Sequence, residues 1–324
     1  MADHELLYLS RADVERVSLD MPTIIRLVEA AFAEKGHGRV EMPPKPGIHP
    51  RGDAFIHAMP AYLPALHAAG LKWVSGFPDN PARGLPYISG LVVLNDDETG
   101  LPSAVMDCTW ITAHRTGAAT AVSAMYLARS ESATAGILAC GVQGRTNLLA
   151  LAALFPLQRV FAYDVSAAAQ RRYVDEMSSA LGIEVVGVDS PRDAVAESDL
   201  VVTSGPIRKH PEPTIDAGWL RPGAFASAVD FDSYWTPAAL REFDRVVTDD
   251  RAQFHYYRDV GYFQATPEPH ASLEEIVVGL RPGRVRAEER TLAMNLGLAL
   301  EDMVVAKEIQ VRATKLGIGT RLPL

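Results

Sequence analysis

The sequence predicts an α/β chain of two domains, and three observations predict it. Thr134 to Leu151 reads as a buried strand (Ile137, Leu138), a tight glycine turn (Gly141, Gly144) and a helix carrying Leu148, Leu149 and Leu151. Strand and helix patterns then alternate as far as about residue 230, the signature of a parallel sheet with helices on both faces. Ahead of that stretch, short strand-like runs follow one another with no helix between them, which predicts a separate antiparallel or mixed sheet. The expected division is an α+β domain built from both ends of the chain, 1–118 and 298–324, around a domain at 119–297.

In chain order, 20–36 reads as an amphipathic helix. Asp20 caps it, Ile24, Ile25, Val28, Ala31 and Phe32 share a face, and Gly36 ends it. After a Pro-rich link at Met42 to Pro46, strands are expected at Ala54 to Ala58, Leu71 to Val74, Ile88 to Leu94 and Ala104 to Met106, with a hairpin loop at Asn95 to Gly100. An Ala-rich helix from about Ile111 to Arg129 leads into the alternating region. That region is expected to hold helices at about 166–181 and 191–197 and strands at Glu184 to Val188, Asp199 to Thr203 and Ala224 to Val229. A last helix, about Leu296 to Leu316, has Leu296, Leu300, Met303, Val304 and Val311 on one face and Gly317 to terminate it.

Each part of the glycine stretch has a physical task. About twenty residues beyond the turn, Val160-Phe161-Ala162-Tyr163 ends on Asp164, completing the Rossmann-type dinucleotide fingerprint of strand, turn, helix, strand and acid. Gly141 lets the backbone approach a pyrophosphate, whose charge the N–H groups at the helix start would face. Asp164 would accept hydrogen bonds from the adenosine ribose. Ala139 stands where the first glycine of the fingerprint is expected. A carboxylate at 164 would repel a 2′-phosphate, and Val165, Ser166 and Ala167 offer no Arg to hold one, so the expected cofactor is NAD rather than NADP.

Composition narrows the class. At 324 residues there is material for two cores, and 48% hydrophobic with 22% charged residues suits a soluble globular protein. A net charge of −9 favours neither nucleic acid nor an anionic membrane as a partner. Two cysteines, Cys108 and Cys140, make no disulfide framework, and no metal site is expected. The acidic start Met1-Ala-Asp-His-Glu lacks the regions of a signal peptide, and no apolar run approaches a membrane span, so the expectation is a cytoplasmic protein.

Three features outside the fingerprint bear on chemistry. Lys72 sits inside an apolar strand, where a lysine ordinarily points to solvent. If it is buried instead, the burial is costly unless a partner anion visits. Arg115 heads a small-residue helix, with a surface salt bridge as the alternative reading. Asp230 and Asp232 close a strand and fall on one side of it if it stays extended; the alternative is turn or capping chemistry. Strand ends in such sheets are where ligands sit, which also marks Thr203, Ser204 and Gly205.

Taken together, Met59-Pro-Ala61, Lys72 with Pro78-x-Asn80, Arg115-Thr-Gly-Ala-Ala, Gly141-Val-Gln143, Asp164, Asp232 and Leu298-Ala-Leu-Glu-Asp302 resemble the ornithine cyclodeaminase/μ-crystallin family over nearly the whole chain. The resemblance implies an NAD(P)-binding homodimer acting on amino acids or their imines. By that likeness Lys72 and Arg115 would hold the substrate carboxylate, with Lys45, His57 and Leu296 also lining the substrate side. Asp232 matches the family's acid–base carboxylate, and Lys72 is counted with it as catalytic. Arg115, Thr116, Val142, Gln143 and Asp164 would contact the cofactor. Thr203, Ser204, Gly205, Val229, Asp230 and Asn295 join them as implied cofactor contacts.

The chain departs from the family pattern at three places. Lys45 replaces the arginine after Pro-Pro, His57 stands where cyclodeaminase members carry an acid, and Asp230 replaces a glycine shortly before the acid–base residue. Missing the acid that selects a distal amine, the chain is expected to be an NAD-dependent oxidoreductase that interconverts an amino acid, or N-substituted amino acid, with its imine or keto form. The alternatives are a cyclodeaminase-type lyase using NAD catalytically and a non-enzymatic binding protein of the μ-crystallin kind.

Overall fold

Where the pattern changes from successive strands to alternation, the structure changes unit. The structure, a computed structural model, describes residues 4–324; Met1, Ala2 and Asp3 of the acidic start lie outside the described residues. One unit is Met1–Arg115 with Leu298–Leu324, the other Thr116–Gly297. The first break falls at Arg115 rather than 118, inside a helix that continues unbroken to Leu127.

The chain opens with β1 (Glu5–Leu9), α1 (Arg11–Arg16), α2 (Met21–Gly36), β2 (Gly47–Ile48), β3 (Phe55–Leu63), β4 (Ala68–Gly76), β5 (Ile88–Asn95), β6 (Pro102–Asp107) and α3 (Thr109–Leu127). It continues with β7 (Thr134–Leu138), α4 (Val142–Ala152), β8 (Arg159–Tyr163), α5 (Ala167–Leu181), β9 (Glu184–Gly187), α6 (Pro191–Ala196), β10 (Leu200–Thr203) and β11 (Phe225–Ala228). Then come α7 (Pro237–Leu240), β12 (Arg245–Thr248), α8 (Arg251–Asp259), β13 (Ala271–Ser272), α9 (Leu273–Val277) and β14 (Thr291–Met294), before α10 (Ala299–Leu316) and β15 (Thr320–Pro323).

The unit built from both chain ends holds a seven-stranded mixed sheet, β15-β1-β6-β5-β4-β3-β2. Strands β3 to β6 form an antiparallel meander, β1 pairs parallel with β6, and β15 antiparallel with β1. Strand alternation separates its faces. Lys72 and Val74 of β4, Val92 and Leu94 of β5, and Ala104 and Met106 of β6 are buried. Trp73 and Leu91, opposite one another across β4 and β5, stay 46% and 42% exposed, and Tyr8 of β1 is exposed too. Helix α10 packs on β3, β4 and β5 and against α2. Asp20 caps α2 by accepting a hydrogen bond from the Thr23 N–H at 2.8 Å, and the five apolar positions read from the sequence are its buried face.

The other unit is an eight-stranded sheet in the order β13-β12-β14-β11-β10-β7-β8-β9, parallel throughout. From β7 the chain builds outward through β8 and β9, then returns to place β10 on the other side of β7. That reversal is the switch point of a doubly wound nucleotide-binding sheet, at whose carboxyl ends ligands bind. No helix among the described residues is long and apolar enough to cross a membrane.

Two expectations need correction. The last helix starts at Ala299, not Leu296, because Gly297 takes a left-handed φ of +79° and Leu298 is the extended N-cap. Leu296 therefore lies in the link after β14, buried there rather than on a helix face. Nor does β11 extend through Asp230 and Asp232. It ends at Ala228, and a turn follows in which Phe231 adopts a left-handed φ of +62°. A strained non-glycine residue persists only where its surroundings over-determine it. Here the Phe231 ring is packed by Tyr257, Tyr262 and Phe263, with centroids at 5.1, 5.5 and 4.8 Å. Two residues apart no longer means one side of a strand.

Candidate active site

The turn between β7 and α4 is built to leave backbone donors open. Gly141 is the N-cap of α4 and supplies no side-chain capping bond; a Cβ placed on it would meet nothing within 4 Å. Val142 just beyond is 63% exposed, so this eleven-residue helix starts at the surface with no side-chain cap on its first N–H groups. Gly144 has the opposite task. A Cβ there would stand 2.4 Å from the Ala139 carbonyl oxygen, so its absence lets α4 close on β7. Gln143 is turned back along the helix, its Oε1 accepting from Asn147 Nδ2 at 3.3 Å. Asp164 follows β8 and holds the turn: Oδ2 accepts from the Cys140 N–H and Oδ1 from the Ser166 N–H, both at 2.8 Å. Each carboxylate oxygen retains a further lone pair. An uncapped helix start at the surface, with an acid just after the next strand, fits a dinucleotide's pyrophosphate and ribose.

Ala139, in the place of the missing glycine, has φ of +79°. The turn thus keeps glycine's conformation without glycine, at a cost of about 1–2 kcal/mol for a side-chain-bearing residue. Ala139→Gly is expected to raise unfolding stability by about 1 kcal/mol, less the entropy glycine adds to the unfolded chain. Chemical denaturation checks it, and a destabilised variant would show that the alanine methyl contributes packing that outweighs the strain.

At the carboxyl ends of β10 and β11, Asp230 is fully buried. Its Oδ1 accepts from the Thr203 hydroxyl at 2.7 Å and its Oδ2 from the Gly205 N–H at 2.9 Å. Ser204 donates to the Ala139 carbonyl at 3.2 Å, and the Val229 N–H donates to the Thr203 carbonyl at 2.9 Å. Burial pushes Asp230 up to about 7, against the opposing Thr203 and Gly205 donors. Asp232 is 8% exposed, and its Oδ2 accepts from the Thr266 hydroxyl at 3.0 Å. Burial raises its pKa as well, again opposed by the Thr266 hydrogen bond. Thr266 was not legible as a site residue. Asn295 follows β14 and is 5% exposed; its amide donates to Ser227 at 3.3 Å and accepts from Ser123 at 3.3 Å. Thr116, in α3, is buried.

In the mixed-sheet unit the strand lysine is not at the surface. Lys72 is 1% exposed, and its Nζ lies 2.7 Å from Asp302 Oδ2. Arg115 Nε donates to Asp302 Oδ1 at 3.1 Å, and an Arg115 terminal nitrogen donates to Glu301 Oε2 at 2.7 Å. Glu301 and Asp302 are fully buried in the first turn of α10. The anion required by a buried lysine is therefore resident, not a visitor. Burial, with Arg115 nearby, lowers Lys72 to about 8 despite Asp302, and burial raises Glu301 although Arg115 opposes it. The pair of acids inside the apolar run Leu300 to Val305 was the available signal. Half-buried His57 stacks on Phe55 at 4.5 Å and is pushed down to about 4 by burial, then by Lys45, His49 and Lys72, which keeps it neutral. Lys45 is half-buried.

Fold and turn together define a two-unit dinucleotide-binding chain, with a buried ionic cluster in its mixed-sheet unit. The chain belongs to the ornithine cyclodeaminase/μ-crystallin family, whose model matches residues 5–316. It is 34% identical over 334 residues to an alanine dehydrogenase of Archaeoglobus fulgidus, covering 98% of each chain. Among solved structures it resembles the Thermococcus litoralis Δ1-pyrroline-2-carboxylate reductase in complex with NADH and L-proline, at 35% identity, TM-score 0.89 and coverage of 97% and 99%. An archaeal alanine dehydrogenase dimer with bound NAD matches at 32% identity and TM-score 0.88, covering 99% and 100%.

Proposed function

We propose that this chain is an NAD-dependent oxidoreductase interconverting an amino acid, or an N-substituted amino acid, with its imine or keto form. The observation that carries the reading is the uncapped start of α4 with Asp164 holding its turn, in a chain whose relatives hold NAD or NADH and are named for amino-acid and imine chemistry. Bound NAD supplies the acceptor, and NADH the donor, of the hydride at the substrate's α-carbon. In this reading the N–H groups after Gly141, with Val142 and Gln143, hold the pyrophosphate, and Asp164 receives the ribose hydroxyls. Thr116, Thr203, Ser204, Gly205, Val229 and Asn295 complete the cofactor's surroundings.

Lys72 and Arg115 are assigned to the substrate carboxylate. Because Asp302 and Glu301 already balance them, the substrate joins an existing ion network rather than meeting bare cations. Asp232 takes the proton from the amine or from attacking water, and returns it in the reverse direction. Lys45, His57 and Leu296 border the substrate's side chain. A neutral His57 among cations offers no anion to a distal ammonium, which favours an oxidoreductase over a cyclodeaminase acting on a diamino acid. The native assembly in this reading is a homodimer, supported by the NAD-bound dimeric relative and by the open apolar row of Trp73 and Leu91. Light scattering on the native chain checks that.

The expected outcome of a screen is NADH formation with at least one amino acid, or NADH consumption with a 2-oxo acid plus amine or with a cyclic imine. Fluorescence titration should give tighter binding of NAD than of NADP. Tighter NADP binding would remove Asp164 from the ribose, and silence across the screen would remove the oxidoreductase reading.

A further inference from the structure

We infer that Asp230 is a positioning residue: it fastens the segment leaving β10 to the turn that carries Asp232, so that cofactor binding and proton transfer share one scaffold. The inference rests on the reading above, in which 203–205 borders the cofactor and Asp232 moves the proton.

The backbone ladder shows why a fastener is needed there. Strands β10 and β11 are paired up to Thr203 and Ala228, and the Val229 N–H adds one last bond to the Thr203 carbonyl at 2.9 Å. Beyond that point both chains turn away from strand geometry, and the cross-links become side chains. Asp230 spends one oxygen on the Thr203 hydroxyl and the other on the Gly205 N–H, so a single carboxylate spans both ends of the segment. The same turn grips the segment twice more. A Cβ on Gly205 would meet the Tyr234 hydroxyl oxygen at 2.4 Å, so Tyr234 lies directly on that glycine. Trp235 Nε1 donates to Thr203 Oγ1 at 3.3 Å.

With no exposure and both oxygens engaged, Asp230 is enclosed by the protein, so its effect passes through the two segments it joins. Asp232, between the gripping residues, has its own anchor in Thr266 at 3.0 Å.

The test uses the native chain and three variants. Asp230→Asn can still accept from Thr203 but sets an amide donor against the Gly205 N–H. Thr203→Val removes the hydroxyl donor at nearly constant volume. Ile276→Ala, in α9 beside the edge strand β13, serves as a plain loss of buried volume. NADH dissociation constants and the pH profile of kcat/KM are measured for each, with melting temperatures. Both Asp230→Asn and Thr203→Val are expected to weaken NADH binding about tenfold and to displace the acidic limb of the profile. Ile276→Ala, at a similar melting temperature, should move neither. If Asp230→Asn does not fold, Thr203→Val decides. Variants that lose melting temperature while NADH affinity and profile stay native would overturn the inference, leaving Asp230 a role in folding only. Should the native enzyme turn over no amino acid or imine, the proposed function fails, and the NADH affinities alone decide the fastening.

Discussion

Asp232→Asn is expected to lower turnover by about 10²–10⁴-fold, the scale of general acid–base catalysis, while NAD affinity changes little. The substitution keeps the shape of the side chain and its ability to accept from Thr266, which anchors Oδ2 at 3.0 Å. What it removes is the proton acceptor. Burial raises the carboxyl's pKa from that of an exposed aspartate, nearer the range where a base both accepts and releases protons at neutral pH. The acidic limb of the kcat/KM profile should vanish in this variant rather than shift. Asp230→Asn gives the contrast, since its loss should be about tenfold and include cofactor affinity. A large loss at Asp230 with native turnover at Asp232 would exchange their roles. If both variants keep turnover and only lose stability, the two acids are turn chemistry.

Lys72→Met carries the largest expected stability effect. Lys72 and Asp302 are 1% and 0% exposed, so removing the ammonium leaves a buried carboxylate with Arg115 as its remaining cation in the cluster. Breaking a buried pair in this way costs about 3–5 kcal/mol. Lys72→Met with Asp302→Leu should recover most of that, because a matched apolar pair is often as stable as the ion pair it replaces. Arg115 keeps Glu301 in the double variant. The pH dependence has a definite sign. Lys72 is held near 8, below its unfolded value of 10.5, so the native chain gains stability from this group as pH rises from about 8 to 10.5. Lys72→Met lacks that rise. A single variant within about 0.5 kcal/mol of native, the usual surface range, would contradict the buried cluster. With Asp302 as the resident partner of Lys72, much of the damage falls on folding rather than on substrate binding.

The parts of the fold legible in the sequence are those whose signal is local. Asp20, the apolar face of α2 and Gly36 lie within one helix, and the Gly141 turn with Asp164 lies within one strand-turn-helix-strand unit. Strands β12 and β14 were not legible, because Arg245-Val-Val-Thr248 and Thr291-Leu-Ala-Met294 are four-residue stretches buried inside a parallel sheet, where no alternation marks a strand. β15 is defined by pairing with β1 from the other end of the chain, and β1 by lying between β15 and β6. The ionic cluster failed for the same reason. Lys72 read alone favours solvent, and only the register that brings α10 over β4 supplies Asp302. The left-handed Phe231 depends on rings from 257, 262 and 263, none of them neighbours in sequence.

The central claim is tested most directly by following cofactor and ammonia in one reaction. The native chain is given NAD and the best amino acid from the screen, and absorbance at the nicotinamide band is recorded while ammonia is assayed. The proposed oxidoreductase accumulates NADH in step with product. A flat absorbance trace with continuing ammonia release would mean that the hydride returns within each cycle, and would contradict it.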